Sequence, residues 1–111
     1  MGAAEKVERD GKVAVLVSPG FGAGWSTWAH DDKARDWALY SPAVVAWVEG
    51  GKVGDIDELI KAALGDDHFF YSGGSHDLEI CWVPKGASFR IEEYDGSESL
   101  RTNDTYDWSV A

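Results

Sequence analysis

The sequence predicts an α+β domain: an antiparallel sheet of four to five strands with two or three helices on one face. Three observations predict it. Residues 12–18 form an apolar run with three valines and a leucine. Residues 32–64 carry helical spacing and helix-start signals. From residue 68 onward the pattern shifts to short, partly alternating runs separated by Gly and Pro turns. Clustered strands joined by short turns favour antiparallel pairing over a parallel βαβ arrangement.

Residues 1–11 are polar and charged, and read as a flexible arm or an edge strand; residues 12–111 read as a single domain. The 12–18 run is apolar on alternate positions of both parities, so it predicts a strand covered on both faces. Pro19 ends it, because proline cannot donate to a ladder. Residues 32–40 predict a short helix with Ala34, Trp37 and Ala38 on one side. Ser41-Pro42 starts a second, serine as N-cap and proline at the first helical position. Gly50-Gly51 stops it. Asp55 through Glu58 resembles a capping box. Ile56, Leu59, Ile60, Ala63 and Leu64 then fall on one helical face, and Gly65 is the stop. That face is expected to pack on the sheet side bearing Ile80, Trp82 and Ile91.

Three to five strands follow the helices. Residues 68–72 are aromatic-rich and end at Gly73-Gly74. Residues 77–83 alternate, with Leu78, Ile80 and Trp82 on one side and Glu79, Cys81 and Val83 on the other. After the turn at Pro84-Lys85-Gly86, Phe89 and Ile91 share one face, Arg90 and Glu92 the other. Asp95-Gly96 is a tight-turn signal between Tyr94 and Ser97. A last short strand is read at residues 106–110.

Bulk properties narrow the function classes. With 44% apolar and 13% aromatic residues, the chain is not compositionally disordered. Twenty acidic residues against ten basic ones give a formal charge of −10. That opposes direct binding to nucleic-acid backbones, where cations must displace counterions. It suits a basic protein partner, a surface that imitates nucleic acid, or solubility alone. Cys81 is the single cysteine, so no intrachain disulfide forms, which fits a reducing cytoplasm. The first six residues hold no apolar leader segment, and no run reaches membrane-spanning length. A cytoplasmic protein without membrane contact is expected, with homo-oligomerisation left open.

The most distinctive segment follows the first strand. Gly20, Gly22 and Gly24 alternate with other residues, and Trp25 and Trp28 come three positions apart. Glycine allows positive φ and close backbone approach. Tryptophan adds a flat surface with one donor. Two readings stand: a recognition loop whose backbone N–H groups take an anion, or a scaffold wedged against the core. As a site, the loop should contain a glycine at positive φ, and Trp25 or Trp28 should line a surface cleft. Neither P-loop nor dinucleotide-binding spacing is present.

The other chemistries are weaker. His30-Asp31-Asp32, His68 and His76-Asp77 offer donors without a familiar ligand spacing, so neither metal nor other cofactor is expected. No nucleophile elbow occurs, and Cys81 lies in an alternating strand. An enzyme is therefore not the leading expectation; a small hydrolase using His and Asp near the loop is the alternative. Glu92, Glu93, Asp95 and Glu98 crowd one turn. They predict an exposed acidic face able to block a basic surface, since burying them would demand cationic partners.

Residues 13–28, from Val13 through the three glycines to Trp28, and residues 89–99, around Tyr94-Asp95-Gly96, resemble a group of small phage and prophage accessory proteins. Trp82-Val83-Pro84 and the Ser41-Pro42 helix start fit the same pattern, so the resemblance spans most of the chain; the arm and residues 29–36 match least. It implies a non-enzymatic binding protein that counters a host defence or regulatory system, as anti-CRISPR proteins do, in the host cytoplasm. Such proteins sequester a nucleotide-like small molecule or cover a defence protein. If the shared blocks are a ligand site, Ser18, Gly20, Gly22, Gly24, Trp25, Trp28, Tyr94, Asp95 and Ser97 are its residues.

Overall fold

A computed structural model describes residues 6–20, 24–29, 31–65, 74–94, 96–103 and 109–110. The class is α+β, with every described strand pairing antiparallel. β1 (Glu8–Arg9), β2 (Lys12–Val17) and β3 (Glu79–Pro84) form one sheet in that order. β4 (Ser88–Tyr94), β5 (Ser97–Asn103) and β6 (Ser109–Val110) form a second, ordered β5-β4-β6. The strands thus divide between two sheets where one was expected. The expected strand at residues 68–72 lies outside the described residues, as does most of that at 106–110.

The β1–β2 connection is a two-residue turn, with Asp10 at φ 53° and Gly11 at φ 77°, and Arg9 facing Lys12 across it. Positive φ at both central positions matches the right-handed twist of the flanking strands. β2 then pairs with β3 along its whole length, from Lys12 opposite Pro84 to Val17 opposite Glu79.

The helices begin where the capping signals lie. α1 (Asp32–Tyr40) is capped by Asp31, whose carboxylate accepts the Ala34 N–H at 2.8 Å. α2 (Pro42–Glu49) is capped by Ser41, with Pro42 in its first turn. α3 (Ile56–Leu64) is capped by Asp55, and Gly65 ends it at φ 90°. Asp57 and Glu58 in its first turn and Lys61 in its last complement the helix dipole.

The alternation of β2 explains the layers. Ala14 and Leu16 point to a cluster with Trp25, Ala34, Ala38, Val44, Val45, Ile56, Ile60 and Leu64. Leu78, Ile80 and Trp82 join that helix-side cluster. Val13, Val15 and Val17 point the other way, to Val83, Phe89, Ile91 and Leu100. The first sheet is therefore the middle layer, with helices on one side and the second sheet on the other. This corrects the expected packing of α3. Ile80 and Trp82 do lie on its side, but Ile91 belongs to the opposite cluster and Ala63 is exposed. A period-2 pattern assigns residues to two faces without saying which neighbour each face meets.

The end of α1 reaches the second layer. Tyr40 meets Phe89 edge-on, ring centroids 6.4 Å apart. Burial, with the Asp36 carboxylate nearby, pushes the Tyr40 phenol up to about 12.

Candidate functional site

The loop after β2 and the β4–β5 hairpin meet at one carboxylate. Glu98 is 1% exposed. Its Oε1 accepts the Ser18 N–H at 3.0 Å. Its Oε2 accepts the Trp25 N–H at 2.6 Å, the Thr27 N–H at 3.0 Å and the Thr27 hydroxyl at 2.6 Å. The Glu98 N–H in turn donates to the Ser18 carbonyl at 2.8 Å. Convergent backbone N–H groups make an anion site, and here the anion comes from the chain itself.

Two expectations change as a result. Glu98 does not belong to an exposed acidic face; main-chain dipoles satisfy it, so no cationic partner is needed for burial. The N–H groups of Ser18, Trp25 and Thr27 are engaged by it, so they do not present an empty anion cradle to a ligand. The Ser18 hydroxyl is also turned inward, donating to the Gly74 carbonyl at 2.9 Å.

The described loop glycines are required by close approach rather than by positive φ. Neither Gly20 nor Gly24 has left-handed φ. A Cβ on Gly20 would fall on the Asp77 carboxylate, and one on Gly24 would lie 2.7 Å from both Thr27 Oγ1 and Trp28 Cδ1. Gly22 lies outside the described residues.

The two tryptophans diverge. Trp25 is fully buried, donates its indole N–H to the Ala38 carbonyl at 2.7 Å, and packs 5.9 Å from Trp37. That removes it as a stacking platform. Trp28 is 37% exposed, and its indole N–H approaches Glu93 Oε2 at 3.4 Å. The same oxygen accepts the Gly96 N–H at 2.7 Å, at the hairpin turn where Gly96 stands at φ 85°. Ser97 Oγ donates to the Pro19 carbonyl at 2.7 Å, tying the turn to the loop. Tyr94 is 77% exposed, and Asp95 lies outside the described residues.

Of the acidic turn, Glu92 and Glu93 remain on the surface. Glu92 bridges Arg90 at 2.9 Å and Arg101 at 3.2 Å, and these guanidinium hydrogen bonds hold its carboxyl below the usual range. The Cys81 thiol is shifted up by burial and by Glu79, away from thiolate chemistry. Among the described residues no group of three or more His, Cys, Asp or Glu could hold a metal ion. His30 and His68 lie outside them, and His76 is exposed in a 3-10 turn.

Beside the loop, between the start of α1 and β4, lies a cleft of about 450 Å³. Ser26 and Thr27 contribute from the loop, Arg35 and Leu39 from α1, Phe89 and Arg90 from β4. Neither Trp25 nor Trp28 is among its lining residues. Arg35 and Arg90 carried no signal in the sequence because 55 positions of chain separate them. The strand–helix packing that makes them neighbours is a long-range event.

No helix among the described residues is long and apolar enough to cross a membrane. Comparison with protein-family models, with curated proteins and with solved structures finds no significant match.

Proposed function

We propose that this chain is a non-enzymatic binding protein that presents the tip of the β4–β5 hairpin to a basic surface on a protein partner. The observation that carries the reading is the fixed position of Glu93. Its Oε2 is held by the Gly96 N–H and lies 3.4 Å from the indole nitrogen of the exposed Trp28. A carboxylate beside an aromatic surface suits an arginine or lysine, through ion pairing and cation–π attraction. The net charge of −10 would steer a basic partner toward it. Filling of the loop amides by Glu98 weighs against a nucleotide pocket on the loop itself. The resemblance of residues 13–28 and 89–99 to phage and prophage accessory proteins supports a host defence or regulatory protein as the target.

The test is co-purification from defence-carrying cells, followed by titration of the captured protein. Trp28→Ala and Glu93→Gln should each weaken association while the melting temperature stays near that of the parent. Glu93→Gln should also flatten the salt dependence, because attraction between exposed charges is screened. Affinity that is unchanged in both variants, at low and high salt, removes this surface from the mechanism.

A further inference from the structure

Ser26 is a buried serine in the wall of the cleft beside the loop. The residue is 2% exposed and lines the cleft between α1 and β4. Its side chain makes no hydrogen bond among the described residues. Of the buried serines described, Ser18 and Ser41 use their hydroxyls, toward the Gly74 carbonyl and the Val44 N–H, whereas Ser26 and Ser75 do not, and of these two only Ser26 lines the cleft. A buried hydroxyl without a protein partner calls for another one.

The rest of the cleft describes that partner. Its volume of about 450 Å³ falls in the range of small-molecule sites. Leu39, Phe89 and Ile91 give it an apolar side. Arg35 and Arg90 enter from opposite walls with half-exposed side chains. Arg90 is oriented by Glu92 at 2.9 Å, whereas Arg35 meets Asp32 at a long 3.5 Å. Guanidinium groups on two walls suit a carboxylate or phosphate, which they can grip through paired N–H donors. Asp32, also lining the cleft, is an acceptor for hydroxyl or amino groups. In a chain of charge −10, a bare anion gains little here; one that also brings an apolar ring gains more.

We propose that this cleft binds a small, flat organic anion. Its ring lies along Leu39, Phe89 and Ile91, its anionic group meets Arg35 and Arg90, and a polar ring atom pairs with Ser26 Oγ. Two sources share this chemistry, a nucleoside monophosphate and an aromatic hydroxy- or amino-carboxylate. The proposal concerns the cleft alone, so it stands or falls separately from the hairpin surface.

Calorimetric titration of the full chain with AMP and with 4-hydroxyphenylacetate separates the two sources. Adenosine and inorganic phosphate are the controls. One of the anions should bind at millimolar concentration or below and raise the melting temperature by linkage. Adenosine and phosphate should each bind at least about tenfold more weakly, the loss expected for one charge-assisted contact. Arg35→Gln, Arg90→Gln and Ser26→Ala should each weaken the anion by a similar factor. If Ser26→Ala fails to fold, amide shifts in the unmodified protein decide. Those of Ser26, Ala29 and Ile91 should move on titration while that of Gly96 stays still. The proposal is overturned if neither anion binds at millimolar concentration, if binding survives intact in the Arg35→Gln/Arg90→Gln double variant, or if Gly96 moves and the cleft does not.

Discussion

Glu98 and Glu92 lie six residues apart on one hairpin, and the fold treats them in opposite ways. Glu98 is buried and held by four N–H and O–H donors, with no cation bridging it among the described residues. Glu92 is on the surface, bridged by Arg90 and Arg101. The pairing register explains the difference. Phe89 and Ile91 face inward on β4, and Ile91 stands opposite Leu100. Glu98, two residues before Leu100, shares that inward side. Glu93 stands opposite Glu98, so two carboxylates occupy adjacent positions on one face. Like charges so placed repel. The repulsion is relieved because backbone donors engage Glu98 and the Gly96 N–H engages Glu93. A dense acidic run thus counts charges without saying which way they point.

The largest expected effect comes from deleting the inward carboxylate. Glu98→Ala leaves the Ser18, Trp25 and Thr27 N–H groups buried without their acceptor. The cost should be ~3–5 kcal/mol, as when one side of a buried charged network is removed. Urea denaturation measures it. A loss under ~1 kcal/mol, the size of a surface change, would erase the contrast with Glu92.

Next comes the apolar contrast between the tryptophans. Trp25→Ala should cost ~3–5 kcal/mol, the range for truncating a buried aromatic. Trp28→Ala should leave the unfolding midpoint nearly unchanged. Equal losses in the two variants would mean that Trp28 is as much a part of the core as Trp25.

How much of this was legible follows the range of each interaction. Local signals carried over well. Ser41 and Asp55 cap the helices where capping chemistry was read, and the evenly apolar β2 is covered on both faces. Non-local ones did not. The division into two sheets depends on β2 pairing with β3 about sixty residues away, which no local pattern encodes. Gly20 reads as a place for positive φ or close approach, but that the approach is to the Asp77 side chain is not encoded locally. The burial of Glu98 had one usable signal, its i,i+2 relation to Leu100, outweighed by the acidic run around it. The meeting of residues 18–28 with 93–98 was legible only as two distinctive blocks, and the geometry of their contact was not.

A smaller effect separates buried from exposed titrating groups at high pH. The Tyr40 phenol, raised to about 12, is neutral in the fold where an unfolded tyrosine has begun to ionise. Its contribution is therefore full below about pH 10, the ordinary tyrosine value, and is lost as pH rises toward 12. Tyr40→Phe should flatten the alkaline limb of the stability curve. Ultraviolet titration showing every tyrosine ionising near its ordinary value would count against the burial of this ring.

The smallest effect belongs to Glu92, and its sign is opposite to that of Tyr40. Arg90 and Arg101 lower the Glu92 carboxyl, so the fold holds it ionised at acidities where the unfolded chain would protonate it. The bridge therefore stabilises above the ordinary carboxylate range. That contribution fades as pH falls through the lowered value. Because the group is exposed, solvent and salt screen the bridge. At neutral pH Glu92→Gln should shift the midpoint barely, and less at high salt than at low. Its signature is in the shape of the curve: the acid limb of the variant should be shallower than the parent's. A Glu92→Gln loss as large as that of Glu98→Ala would mean that the outward row of the hairpin holds the fold as firmly as the inward one. The contrast built on strand register would then fail.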